Sequence, residues 1–217
     1  MNSTLSGKNV MLGVLASGLL CAIQAHAAWT VGYPWGLTHN GNAYMTHGGD
    51  RMTATQPGNN GYKYNSGASY SSVKLIVTAS DASMGAQAYC EVHDRVRGVW
   101  PAFWFTTEGA WTGEVDIAEW KGNNNCWQNT YDGGWESQLT SANNATFKAH
   151  CWIIDTTPGK NDVRVQLSIN NVVKATHTGT NFRNKNFWLI RNLQMEGSSG
   201  SPGPTSAYFI CNSISQW

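Results

Sequence analysis

The chain has 217 residues with 14 basic and 13 acidic side chains, and only 12% of its residues are charged. A balance this close to neutral gives no electrostatic case for nucleic acid or an anionic membrane as partner, and it favours an uncharged substrate. Eleven tryptophans and 23 glycines suit short strands and tight turns.

At the N-terminus, Lys8 precedes the apolar run "VMLGVLASGLLCAI" (Val10 to Ile23), and "AHA" (Ala25 to Ala27) offers small residues before a cut. This pattern predicts a secretory signal peptide over residues 1–27. Fourteen mostly apolar residues fall short of the roughly 20 that span a bilayer. Cys21 lies in the apolar run, and "GLLC" lacks the small residue that precedes a lipid-modified cysteine. The remaining residues, 28–217, fit one domain, expected outside the cell or in the periplasm, monomeric and with no membrane attachment. Without Lys8 they carry 13 basic and 13 acidic residues, a net charge of zero. Four cysteines stay with them, Cys90, Cys126, Cys151 and Cys211. An even number in an oxidising compartment predicts two disulfides, with three pairings open. No Cys-x-x-Cys cluster suggests zinc.

Strand signals follow in "SSVKLIVTAS" (71–80) and "AQAYCEVHDR" (86–95), and then in "GVWPAFWF" and "GEVDIAEWKG". Further on come "AHCWIID" (149–155) and "VRVQLSIN" (163–170), where Val163, Val165, Leu167 and Ile169 alternate with polar residues. That alternation marks a half-buried strand. Asn170 and Asn171 tolerate the positive φ of a tight hairpin turn, and "VVKATH" returns as the partner. "NFWLIRNLQM" and "TSAYFICNSISQW" complete the set, with Gly/Asn/Ser/Pro clusters such as "GNNN" and "GSSGSPGP" between strands. No stretch after the leader sustains a helical period. The expected fold is all-β, an antiparallel sandwich or jelly roll.

The densest chemistry lies in "GEVDIAEWKG", which gathers Glu114, Asp116 and Glu119 within six positions. Glu114 and Asp116 keep the two-residue period of a strand, whereas Glu119 falls out of phase and would point into the apolar face of a regular strand, at high cost. A β-bulge between Asp116 and Glu119 brings Glu119 back to the face of the other two, with Ala118 as the candidate extra residue. Three like charges on one face raise the pKa of at least one. Retaining glycoside hydrolysis uses that asymmetry, with an ionised carboxylate to attack and a protonated one to donate, about 5 to 5.5 Å apart. We assign Glu114 as nucleophile, Glu119 as acid/base and Asp116 as the auxiliary group between them, although spacing alone leaves the order of the glutamates open. An ordinary solvated strand face and a calcium site are the competing readings of these six residues.

"GVWPAFWF" (Gly98 to Phe105) followed by "GEVDIAEW" resembles the core signature of the family-16 glycoside hydrolases, which include laminarinases, lichenases, agarases and κ-carrageenases. The weaker likeness of "YNSGA", "YCEVHDR", "FWLIRNLQMEG" and the final strand extends it over most of the chain. The resemblance implies a concanavalin-like jelly roll with an open cleft and retaining endo-hydrolysis of a β-linked polysaccharide. It also implies the order of Glu114 and Glu119 given above. The six-residue spacing is similar to the laminarinase, agarase and carrageenase branches. His93 stands where an arginine is usual, and Asp132 of "NTYDGG" where many bulged members carry a supporting histidine.

Trp100, Trp104, Trp111, Trp120, Trp127 and Trp135 surround the carboxylate strand. A pyranose stacks its C–H face on indole rings, so these are candidate substrate platforms, with core packing as the alternative for each. Trp104 is placed nearest the cleaved bond, and Trp111, Trp127 and Trp135 fall in loop-like surroundings suited to outer subsites. The scattered histidines show no metal-ligand spacing, and no cofactor or catalytic metal is expected, although structural calcium stays open. Asn144 of "NAT" is a glycosylation acceptor in a eukaryotic host. The expected activity is endo-hydrolysis, with a β-1,3-glucan favoured. A lectin-like binding module and a polysaccharide lyase on the same fold are the alternatives.

Overall fold

The computed structural model describes residues 30–31, 45–48, 51–55, 65–74, 84–92, 95–108, 112–141, 146–154, 162–182, 185–195, 199–200 and 202–216. The leader, His93, Trp111 and Asn144 lie outside the described residues.

Numbered in chain order, the strands form two seven-stranded sheets. The first runs β1 (Thr30–Val31), β4 (Asn65–Lys74), β13 (Asn186–Met195), β6 (Val99–Thr107), β7 (Glu114–Glu119), β8 (Asn125–Tyr131), β9 (Trp135–Ser141). The second runs β12 (Val172–Gly179), β11 (Val163–Ile169), β10 (Thr146–Ile154), β5 (Met84–Val92), β14 (Ser206–Gln216), β3 (Arg51–Thr55), β2 (Met45–Gly48). Neighbours pair antiparallel throughout both sheets. The chain is therefore an antiparallel β-sandwich of the jelly-roll kind.

The alternation in 163–169 does what its period requires. Val163, Val165, Leu167 and Ile169 are buried in the core between the sheets. Asn170 and Asn171 take φ of 52° and 64°, the double positive φ of a two-residue hairpin turn that matches strand twist. From the facing sheet, Phe103, Phe105, Phe187, Leu189 and Leu193 fill the same core. Two polar bridges cross it: Arg191 Nη1 donates to the Cys211 carbonyl at 3.1 Å, and His177 Nδ1 meets Thr130 Oγ1 at 3.0 Å.

The expected disulfides are a point of difference. Cys90, Cys126 and Cys211 are buried and none is in a disulfide. Cys90 and Cys211 are directly opposite on β5 and β14, with their sulfurs 2.7 Å apart in a hydrogen bond, beyond the ~2.05 Å of a covalent S–S bond. Their burial in an apolar core accounts for them as small hydrophobes. The Cys151 side chain lies outside the described residues.

The strands around the carboxylates are seated by close backbone contact. Gly122, just past β7, has φ +70°, and a Cβ there would stand 2.3 Å from the Ser199 carbonyl oxygen. Its N–H donates to Val99 O at 2.9 Å, and Gly98 N–H donates to Ser199 O at 2.8 Å. Only glycine meets both the positive φ and this approach at position 122 without strain.

Candidate active site

In β7 the side chains of Val115, Ile117 and Ala118 are all in the core, so two consecutive residues point inward. The pairing with β6 shows why: Trp104 faces Asp116 and Phe103 faces Ala118, which leaves Ile117 without a partner on β6. On the other side Asp116 faces Asn129 and Glu119 faces Trp127, so Gln128 alone spans Ile117 and Ala118. This is a β-bulge, and it returns Glu119 to the face of Glu114 and Asp116. The residue skipped is Ile117, where the sequence had suggested Ala118. A large side chain in that position adds to the core, whereas alanine would add little.

A bulge removes its own carbonyl from the ladder, and a buried carbonyl must find a donor elsewhere. Gln128 supplies it: Nε2 donates to Ile117 O at 2.9 Å, and Gln128 Oε1 accepts from Thr140 Oγ1 at 3.2 Å. All of this takes place on the core side of the sheet. Gln128→Leu, which keeps the volume and deletes the amide, is expected to lower stability by about 1–3 kcal/mol because it strands two buried polar groups. Denaturant unfolding measures this, and an unchanged midpoint would show that the bulge needs no clamp.

On the opposite face the carboxylates form a connected chain. Asn129 Nδ2 donates to Asp116 Oδ2 at 2.9 Å and to Glu119 Oε1 at 2.9 Å. Trp100 Nε1 donates to Glu119 Oε2 at 2.8 Å. Asp116 also hydrogen-bonds Glu114. Burial, and then the charges of Glu119 and Glu114, hold the Asp116 carboxyl well above the usual carboxylate range. Glu119 is pushed up to about 7, chiefly by burial. The Trp100 hydrogen bond lowers it, the Glu114 charge raises it, and Lys121 and Asn129 lower it again. Two acids that hold protons beside a third carboxylate can divide donor and nucleophile roles between them.

The register arranges the neighbours in rows. Glu114 lines up with Tyr131 and Trp135, Asp116 with Asn129 and Ser137, and Glu119 with Trp127 and Leu139. Trp127 is half-buried and Trp135 is 54% exposed; the Tyr131 and Trp135 rings meet at a tilt of 46° with centroids 4.9 Å apart. Both tryptophans therefore belong to strands on the carboxylate face, and the surroundings read as loop-like are the β8–β9 hairpin. Trp104, half-buried beside Asp116, donates its indole N–H to Asn192 Oδ1 at 2.7 Å. Trp100 has one ring face covered by Lys121 Nζ, 4.2 Å from the centroid.

Two expected site residues are elsewhere. Trp120 is 0% exposed and packs in the core, because one step past Glu119 the alternation turns inward, and no sugar reaches it there. Asp132 is one step past Tyr131, the residue opposite Glu114, and its Oδ2 accepts from Thr180 N at 2.7 Å, tying the end of β8 to the chain just past β12. Asn129 is the residue that sequence reasoning missed. The signal was the alternation of Cys126, Gln128 and Thr130, all buried, with Trp127, Asn129 and Tyr131, hidden in an Asn/Gly-rich stretch.

A family model described as "Glycosyl hydrolases family 16" matches residues 37–202, a span that includes β6, β7 and β8. Among curated proteins the chain is similar to the "Galactan endo-beta-1,3-galactanase" of Flammulina velutipes. It is 32% identical over 198 residues, covering 82% of this chain and 79% of that protein. Among solved structures it is similar to a glycosyl hydrolase family protein from Mycobacterium fortuitum, with a TM-score of 0.63 and 16% identity over 87% of this chain and 91% of that one. An endo-1,3-beta-glucanase from Streptomyces sioyaensis superposes with a TM-score of 0.59 and 18% identity, over 87% and 88% of the two chains. At these identities the structural likeness speaks for the fold alone. The family match, which covers most of the chain and encloses the bulged carboxylate strand, shows that this protein belongs to the glycosyl hydrolases of family 16.

Proposed function

We propose that the protein is a secreted, monomeric, endo-acting retaining hydrolase of a β-1,3-linked galactan. The observation that carries the chemistry is the bulge that puts Glu114, Asp116 and Glu119 on one face with Asn129 and Trp100 joined to Glu119. The polysaccharide is suggested by the relative of 32% identity, a galactan endo-β-1,3-galactanase. The β-1,3-glucan expected from sequence stands beside it as the competing substrate.

In this reading, Glu114 attacks the anomeric carbon as the glycosidic C–O bond breaks, and the proton on Glu119 passes to the departing oxygen. A covalent glycosyl–enzyme ester results. Water then gives a proton to ionised Glu119 while its oxygen attacks the same carbon, and Glu114 leaves as a carboxylate. Asp116, holding its proton, stabilises the charge on Glu114 through their hydrogen bond.

The leader over residues 1–27 carries the proposal of secretion.

The test incubates the protein with β-1,3-galactan, laminarin, lichenan, agarose and κ-carrageenan, follows new reducing ends, and records the anomeric signals by NMR. β-1,3-Galactan is expected to be cut fastest, with the β-anomer appearing first. Faster release from laminarin would move the assignment to β-1,3-glucan, and first appearance of the α-anomer would overturn the retaining mechanism.

A further inference from the structure

We propose that Asn129 is a positioning residue that joins the auxiliary aspartate to the acid/base glutamate and stabilises Glu119 in the carboxylate form left by proton donation. The inference rests on the acid/base reading of Glu119 given above and adds a residue to it.

The geometry is specific to the bulged register. Asn129 stands directly opposite Asp116, whereas Glu119 pairs one row on with Trp127. The bulge draws Glu119 back along the strand so that one amide nitrogen reaches both acids, at 2.9 Å each. A side-chain amide has two N–H hydrogens, and both are used. The carbonyl half, Oδ1, is buried without a hydrogen-bond partner among the described residues. Asn129 is 6% exposed, so bulk solvent is largely kept from the amide. The side chain thus acts on the carboxylates through its donor end.

A donor that cannot accept a proton distinguishes the two states of Glu119. While Glu119 is protonated, the hydrogen bond from Asn129 joins neutral groups. Once the proton has passed to the departing oxygen, the same bond ends on a full negative charge and is roughly twice as strong. An interaction that strengthens as the reaction proceeds lowers the barrier, whereas one equal in both states only tightens binding. Trp100 acts alike on the other oxygen, and Lys121 over its ring draws electron density from the indole and strengthens that donor.

Among the described residues, the titratable and charged groups around Glu119 are Glu114 and Asp116 on its own strand, Lys121 in the following turn and, from β8, the Cys126 thiol. From β6, Ala102 stands opposite Glu119 and the Trp100 indole donates to it, and neither side chain titrates. With these left in place, removing Asn129 takes away a donor that favours the anion, so Glu119 holds its proton to higher pH.

The test compares Asn129→Ala and Asn129→Ser with wild type on two substrates. One is the oligosaccharide cut fastest in the substrate panel, and the other is the same sugar with a 2,4-dinitrophenolate leaving group, which departs without a proton. On the natural linkage kcat is expected to fall about 10- to 100-fold, as for loss of a hydrogen bond to a charged group, with KM little changed. The alkaline limb of the kcat profile should move to higher pH. On the dinitrophenyl substrate both variants should stay near wild type, because Glu119 is then the stronger base in the second step. Equal losses on both substrates, with the alkaline limb in place, would overturn the proposal and leave Asn129 as packing. Glu119→Ala serves as the control, read as kcat/KM, which reports the first step alone: if it too loses equally on both substrates, the acid/base reading fails first. Thermal melting reports folding, and Asn129→Ser carries the comparison should the alanine variant not fold.

Discussion

Replacing Glu114 with alanine is expected to lower polysaccharide turnover by about 10⁴-fold or more, the scale seen when a covalent nucleophile is deleted. The fold should survive. Glu114 is half-buried at the start of β7, and its removal takes a negative charge away from Asp116 and Glu119. The loss therefore belongs to the chemistry. Azide supplied to the variant should restore turnover and give a product of inverted configuration, since the small anion attacks from the face that the carboxylate vacates. A variant with near-normal hydrolysis, or azide rescue with retained configuration, would remove Glu114 from the nucleophile's place.

Glu119 sets the second large effect, read through pH. A carboxylic acid donates only while protonated, and burial holds this one up to about 7. Activity should therefore fall tenfold per pH unit above that value, while on the acidic side Glu119 keeps its proton and the ionised nucleophile alone sets the lower limit. An ordinary glutamate, with a pKa of about 4.3, would have lost its proton long before neutrality. In Glu119→Ala the limb should vanish along with about 10²–10⁴-fold of the rate on natural linkages. The residual rate should be flat from pH 6 to 9. A wild-type profile level to pH 9, or an unchanged alkaline limb in the variant, would show that another group supplies the proton.

The fold was legible where side chains repeat with the period of a strand and turn residues punctuate them. Residues 163–171 are the clearest case, since Asn170 and Asn171 have the backbone angles that their side chains permit. The bulge was legible for the opposite reason, as a break in the period at a residue too polar for the core. What stayed hidden depends on partners distant in sequence. Asn129 acquires its meaning from standing opposite Asp116, a relation fixed by strand register. Its own neighbourhood of Trp, Gln, Asn and Thr names no single structure. Trp120 was ambiguous because its direction depends on where the bulge falls. The cysteine count suggested covalent pairing, but an even number of thiols is also what a core that uses them as apolar filler can hold.

The Gln128 clamp suggests how a strand of this kind could change length. Excising Ile117 would leave every later side chain of β7 on its present side, because the excised residue is the one that β6 skips. Glu119 would still look outward and Trp120 inward. The amide of Gln128 would be left behind in the interior with its acceptor gone, a burden that leucine at 128 would lift once Thr140, whose hydroxyl it bonds, had also lost its polarity. The substitution that harms the present protein would then relieve the shortened one, so loss of one residue in β7 and loss of polarity at 128 should travel together through the lineage.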